Sequence, residues 1–160
     1  MTYSAHQYRD IFCMTFFNVA DILGVKRETI DIPRTDSDIR AYISLRALYI
    51  FKLDYLLFNF KNDFDNNRLT LRGQSALPAY LFHQRQIPFS ETKDMSFAEI
   101  MAIMLPVLSN TEIPENLFMN IKCNYDFKLY GNSIAVFMHT YPEYSDAEWD
   151  PLLWDRTLLM

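Results

Sequence analysis

The sequence predicts an α+β fold: a predominantly helical single globular domain over residues 1–160, with a small antiparallel sheet that includes a hairpin near residues 124–139. Three observations predict it. Long stretches carry apolar residues at spacings of three and four, as one face of a helix does. After Asn124 the period changes to two around Gly131-Asn132. At 160 residues, with half of them apolar and no linker, repeat or low-complexity segment, the chain suits one core that buries about 70% of its unfolded surface.

The first helix is predicted over 4–23, where Tyr8, Ile11, Phe12, Thr15, Phe16, Val19, Ile22 and Leu23 share a face and Gly24 supplies the stop. After Ile32-Pro33, the Thr35-Asp36-Ser37-Asp38 run offers N-cap oxygens and early negative charge. A second helix follows over 38–62. It is apolar on most sides, from Ile39 and Tyr42 through Leu57, Phe58 and Phe60, so it is expected at the centre of the fold. Arg46, Lys52 and Asp54 interrupt its long apolar stretch, which therefore falls short of the roughly 18 residues a membrane span requires. Asp63 to Asn67 break the helix, and the alternation Arg68-Leu69-Thr70-Leu71-Arg72 predicts a short strand before Gly73.

A helical turn is expected over 79–86 and a polar loop between Pro88 and Asp94. Ser96-Phe97-Ala98-Glu99 has the spacing of a capping box, flanked by Met95 and Ile100 as a hydrophobic staple. Pro106 predicts that the helix begun there kinks or ends near Met104. Leu117, Phe118 and Ile121 suggest a short helix after Pro114. Tyr125, Phe127 and Leu129 then alternate with polar residues, Gly131-Asn132 permits a tight turn, and Ser133 to His139 is largely apolar; this is the hairpin. Ser145-Asp146-Ala147-Glu148 is a second capping box, and Asp150-Pro151 restarts a short helix through Trp154.

Several classes of chemistry find no footing in this pattern. The three glycines, Gly24, Gly73 and Gly131, are far apart, so neither a dinucleotide fingerprint nor a phosphate loop can be built. His6, His83 and His139 share no ligand spacing with one another or with the cysteines. Cys13 and Cys123 make neither a disulfide framework nor a zinc knuckle and are expected as two buried free thiols. Asp63, Asp65 and Asn67 match the first ligands of a calcium loop, but Arg68 replaces the required glycine and Gln74 the closing glutamate, which leaves a helix-ending polar loop. Arg9 followed by Ile11 to Phe17 mimics a leader, yet Asp10 interrupts it and the pattern runs on to Leu23, which predicts a helix and a cytoplasmic protein.

Charge is unevenly spread. Residues 1–72 carry ten Lys/Arg against nine Asp/Glu, whereas residues 73–160 carry five against eleven. That balance opposes general nucleic-acid binding and suits a basic partner. The densest acidic run combines Glu143, Asp146, Glu148, Asp150 and Asp155 with Trp149 and other aromatics. Aromatic anchors beside steering carboxylates make Glu143, Asp146, Glu148, Trp149, Asp150 and Asp155 the candidate partner-binding residues.

Two local similarities offer other functions. Val19 to Ile30 looks like the first helix and turn of a helix-turn-helix DNA reader, although its recognition helix would have to continue through Ile32-Pro33. The same stretch, with Leu23-Gly24-Val25 followed by Ser44-Leu45, is similar to an acyl carrier protein over residues 8–60, which implies a prosthetic group on Ser44 where Ile43 stands in place of the usual aspartate. An uncharacterised small enzyme is the remaining alternative.

Taken over its whole length, an acidic, aromatic-rich chain lacking common catalytic motifs resembles in type the immunity proteins encoded beside bacterial polymorphic toxins, including those of contact-dependent growth inhibition. This resemblance carries no motif and no residue across. It implies a binding protein, not an enzyme, that neutralises a cognate toxin, commonly a nuclease, by stoichiometric complex formation. No cofactor, metal, nucleic acid or membrane is expected to take part.

Overall fold

The computed structural model describes residues 4–30, 38–129 and 131–159. Its elements are α1 (Ala5–Ile22), α2 (Arg27–Ile30), α3 (Asp38–Phe64), a 3₁₀ turn (Gly73–Ser75), α4 (Ala76–Arg85), α5 (Phe89–Thr92), α6 (Phe97–Asn110), α7 (Glu115–Lys122), α8 (Gly131–Thr140), a second 3₁₀ turn (Asp146–Glu148) and α9 (Leu153–Leu158). The fold is helical, with no strand among the described residues, so the expected antiparallel sheet is absent and the α+β assignment is corrected to all-α.

Helix α1 begins at a capping box in which Ser4 Oγ accepts from the Gln7 backbone and the Gln7 side chain reaches back to the Ser4 N–H. It ends at Leu23, with Gly24 at a positive φ of 71° that a side chain would strain. Helix α3 is central, as its nearly all-round hydrophobicity requires, and packs against α1, α4, α6 and α9. Its apolar side chains join those of α1, α6 and α9 in one core around Phe12, Phe16, Phe51, Phe58 and Trp154. The N-cap expected at Thr35 to Ser37 lies outside the described residues.

The hairpin fails for a physical reason visible on each side of Tyr130. From Tyr125 to Leu129 the chain belongs to no helix or strand, yet its alternation is genuine: 125, 127 and 129 are partly buried while 126 and 128 face water. What covers the inward side is helix, not a strand. Tyr125 packs on Phe12 at 4.7 Å and Phe16 at 5.0 Å, and Phe127 on Phe12 and Phe118. Beyond it, Gly131 and Asn132 open helix α8 instead of turning a hairpin, because Ser133, Phe137 and Tyr141 recur at four and meet the N-terminal part of α3 as one row.

The strand expected at 68–72 is also absent. Arg68 takes a left-handed φ of 55°, and the Asp65 carboxylate gathers the next three backbone amides, accepting from Leu69 through Oδ1 and from Thr70 and Leu71 through Oδ2. Those hydrogen bonds hold Asp65 below the usual carboxylate range. Helix α3 thus runs two residues past its expected end at 62, and the polar loop that ends it begins at Asp65.

Helix α6 opens on the expected Ser96–Glu99 capping box but neither ends nor breaks at Met104. Pro106 lies on its exposed side, and so does Ala102, whose carbonyl loses its partner; water can serve that carbonyl where a buried one would be left unsatisfied. The turn expected at 79–86 extends to the whole of α4, and the loop after Pro88 contains the single turn α5.

Candidate functional site

The acidic C-terminal region lies along α3, and its register can be followed residue by residue. Ser133 Oγ donates to Asp38. Phe137 and Tyr141 stack on Tyr42 at 4.9 and 5.5 Å. Arg46 binds Glu148 through both Nε and Nη2 at 2.6 Å, and its Nη1 donates to the Tyr42 hydroxyl and the Pro142 carbonyl. Tyr144 stands over the Arg46 guanidinium at 4.6 Å and donates to its carbonyl. Trp149 Nε1 donates to Asp54 at 2.8 Å, and Lys61 pairs with Asp155 at 2.7 Å. Residues 133–155 therefore form a strap parallel to α3, pinned at 38, 42, 46, 54 and 61.

Contacts from outside α3 fix the strap further. Asn18 of α1 donates to the carbonyls of Ala147 and Glu148, and Arg68 Nε joins Lys61 on Asp155 at 3.0 Å. Leu152 packs directly over Gly73, where a Cβ would come within 3.1 Å of Leu152 Cδ2 and where φ is +47°. Both the close approach and the backbone conformation demand glycine there.

This geometry separates the six candidate binding residues. Glu148 is buried with Arg46 in a two-pronged ion pair. Trp149 is half-buried, stacked on Phe97 at 5.4 Å with planes 5° apart. Asp155 is held between Lys61 and Arg68, and Asp146 is exposed but accepts from the Phe97 N–H at the start of α6. Asp150 pairs with Arg156 at the surface. Glu143 alone stands exposed beyond α8 without any of these duties. Two carboxylates of the second half, Glu148 and Asp155, thus neutralise Arg46, Lys61 and Arg68 of the first.

Electrostatics along the strap follow from burial. Burial works against the Arg46 charge, but the bonds and attraction of Glu148 outweigh it and raise the guanidinium above its ordinary value. Asp54 is different: burial, only partly countered by the Trp149 bond and by Lys61, pushes its carboxyl up to about 7. It faces a cavity of about 190 Å³ shared with Thr15, Asn18, Glu148, Asp150 and Arg156. Burial also pushes the Tyr144 phenol well above its usual range.

Other sequence candidates are scattered or closed off. Among the described residues no three His, Cys, Asp or Glu side chains are grouped to hold a metal ion, and His6, His83 and His139 are all exposed and apart. Ser44 is fully buried inside α3, its hydroxyl donating to the Arg40 carbonyl, which leaves no room for a prosthetic arm. The DNA-reader similarity extends past Ile30 into residues outside those described. Cys123 is exposed and Cys13 half-buried, correcting the expectation of two buried thiols. No described helix is long and apolar enough to cross a membrane.

One functional candidate was hidden by the strand assignment. Helix α8 carries the consecutive apolar residues Ile134, Ala135, Val136, Phe137 and Met138, yet none of its described side chains is buried. Ile134, Val136 and Met138 are 46%, 60% and 75% exposed, whereas the Ser133–Phe137–Tyr141 row meets α3. The signal lay in the composition of 133–139, which is largely apolar. No protein-family model, curated protein or solved structure matches this chain.

Proposed function

We propose that the protein is a binding protein that neutralises a cognate protein toxin by forming a stoichiometric complex, and that α8 is its contact helix. The observation that carries the reading is the exposed apolar surface of α8: a ten-residue helix, fastened to the body along one row, that offers Ile134, Val136 and Met138 to solvent. Ile134 and Met138, four residues apart, share one flank of the helix and Val136 lies on another, and large apolar side chains left exposed together on one short helix mark a site of macromolecular contact, where they become buried only in the complex. Exposed Glu143 just beyond the helix and the net charge of −5 favour a partner with a basic surface. That the partner is a toxin, for instance a nuclease, rests on the resemblance of type set out above.

Co-expression with the product of the adjacent gene tests the reading. The expected result is that this neighbour arrests growth when expressed alone, that the chain restores growth, and that the two co-purify in equal amounts. The double substitution Val136→Asp, Met138→Asp should abolish both effects while leaving the circular dichroism of the chain unchanged. A neighbour that is neither toxic nor bound contradicts the proposal.

A further inference from the structure

Cys13 and Cys123, 110 residues apart in sequence, line one open cleft of about 660 Å³. The α1 wall of that cleft is the i, i+4 row Arg9, Cys13 and Phe17, and the opposite wall is Cys123, Asn124 and Tyr125 where the chain leaves α7. Tyr125 fixes the second wall against the first. Its ring packs edge-on against Phe12 and tilted against Phe16, and its phenol lies beside the Cys13 thiol, a contact that adds to burial in raising the phenol above its ordinary range. The residue two positions after Cys123 therefore touches Cys13 itself. Cys123 is exposed and Cys13 half-buried, so one thiol meets solvent directly while the other, less accessible, lines the same cleft.

An exposed thiol and a less accessible one lining the same cleft suit the roles of an attacking and a resolving cysteine. We infer that Cys13 and Cys123 form a redox pair, closing to a disulfide that ties α1 to the C-terminal end of α7 when oxidised glutathione is the oxidant. The Cys123 thiolate attacks one sulfur of oxidised glutathione, forming a mixed disulfide and releasing one glutathione thiolate. Cys13, as thiolate, then attacks Cys123 Sγ, forming the internal disulfide and releasing the second glutathione. Two protein thiols lose two protons and two electrons, and one glutathione disulfide becomes two thiols. The loop so closed spans most of the chain, which restricts the unfolded ensemble strongly. This property goes beyond the binding role and stands whether or not α8 contacts a toxin.

Equilibration of the full chain with oxidised glutathione, followed by intact-mass measurement and non-reducing peptide mapping, tests the inference. The expected product is lighter than the reduced chain by two hydrogens, contains a peptide joining Cys13 to Cys123, melts at a higher temperature and reverts with dithiothreitol. Cys13→Ser should stop at a glutathione adduct on Cys123. Should that variant fold poorly, Cys123→Ser, at an exposed position, should show no loss of two hydrogens. Wild-type protein that accumulates the Cys123 adduct without closure, or that links two chains together, overturns the inference.

Discussion

Replacing Asp54 by asparagine separates the charge of this buried carboxyl from its shape. Asp54 is 6% exposed and accepts the Trp149 Nε1 bond, a contact the amide carbonyl of the variant keeps. Its folded-state pKa of about 7 lies above the ordinary value of 3.8. A carboxyl raised on folding contributes stability that is fully present below its unfolded pKa and is lost as pH rises through the folded one. The loss therefore begins near pH 3.8 and is complete above about pH 7. At 1.36 kcal/mol per unit, the rise corresponds to a ceiling of about 4 kcal/mol, of which about 2–3 kcal/mol develops between about pH 5 and about pH 8. The amide does not titrate, so Asp54→Asn should gain stability relative to wild type by that amount over the interval. Urea denaturation of both proteins at the two pH values, followed by fluorescence of Trp149 and Trp154, measures it. A stability difference that stays constant with pH refutes the reasoning.

Three further outcomes test the packing. Glu148→Gln leaves the buried Arg46 guanidinium without its counter-charge and should cost about 3–5 kcal/mol in the same denaturation assay, far more than the exposed pair substitution Asp150→Asn. Ser96→Ala removes the oxygen that caps α6 and should cost about 1 kcal/mol. Pro106→Ala restores a backbone donor for Ala102 on the exposed face of α6 and should raise stability by about 1–3 kcal/mol, read as a higher denaturation midpoint.

What the sequence made legible was local. The Ser96–Glu99 capping box, the Gly24 stop and the central position of α3 depend on neighbours within a few residues or on hydrophobicity around one axis, and each could be read directly, whereas of the box expected at Ser145 only the Glu148 bond to the Ser145 N–H forms. The hairpin was misread because alternation at 125, 127 and 129 reports only that one side is covered, not whether strand or helix covers it. Pro106 was misjudged because its cost depends on whether the carbonyl of Ala102 faces water, which is a property of the packed structure. The acidic second half was read as a surface, whereas Glu148 and Asp155 turn inward to Arg46, Lys61 and Arg68. The clue was Arg46, Asp54 and Lys61 set among the apolar residues of a helix expected at the centre of the fold, since charges buried there need partners from elsewhere in the chain.

Calorimetric titration of the chain against the protein encoded beside it, with wild type and the Val136→Asp, Met138→Asp variant in parallel, bears most directly on the central claim that α8 carries recognition. The account predicts one-to-one binding by the wild type and a loss of at least tenfold in affinity for the variant, about 1.4 kcal/mol or more. Equal affinity for both proteins would contradict it.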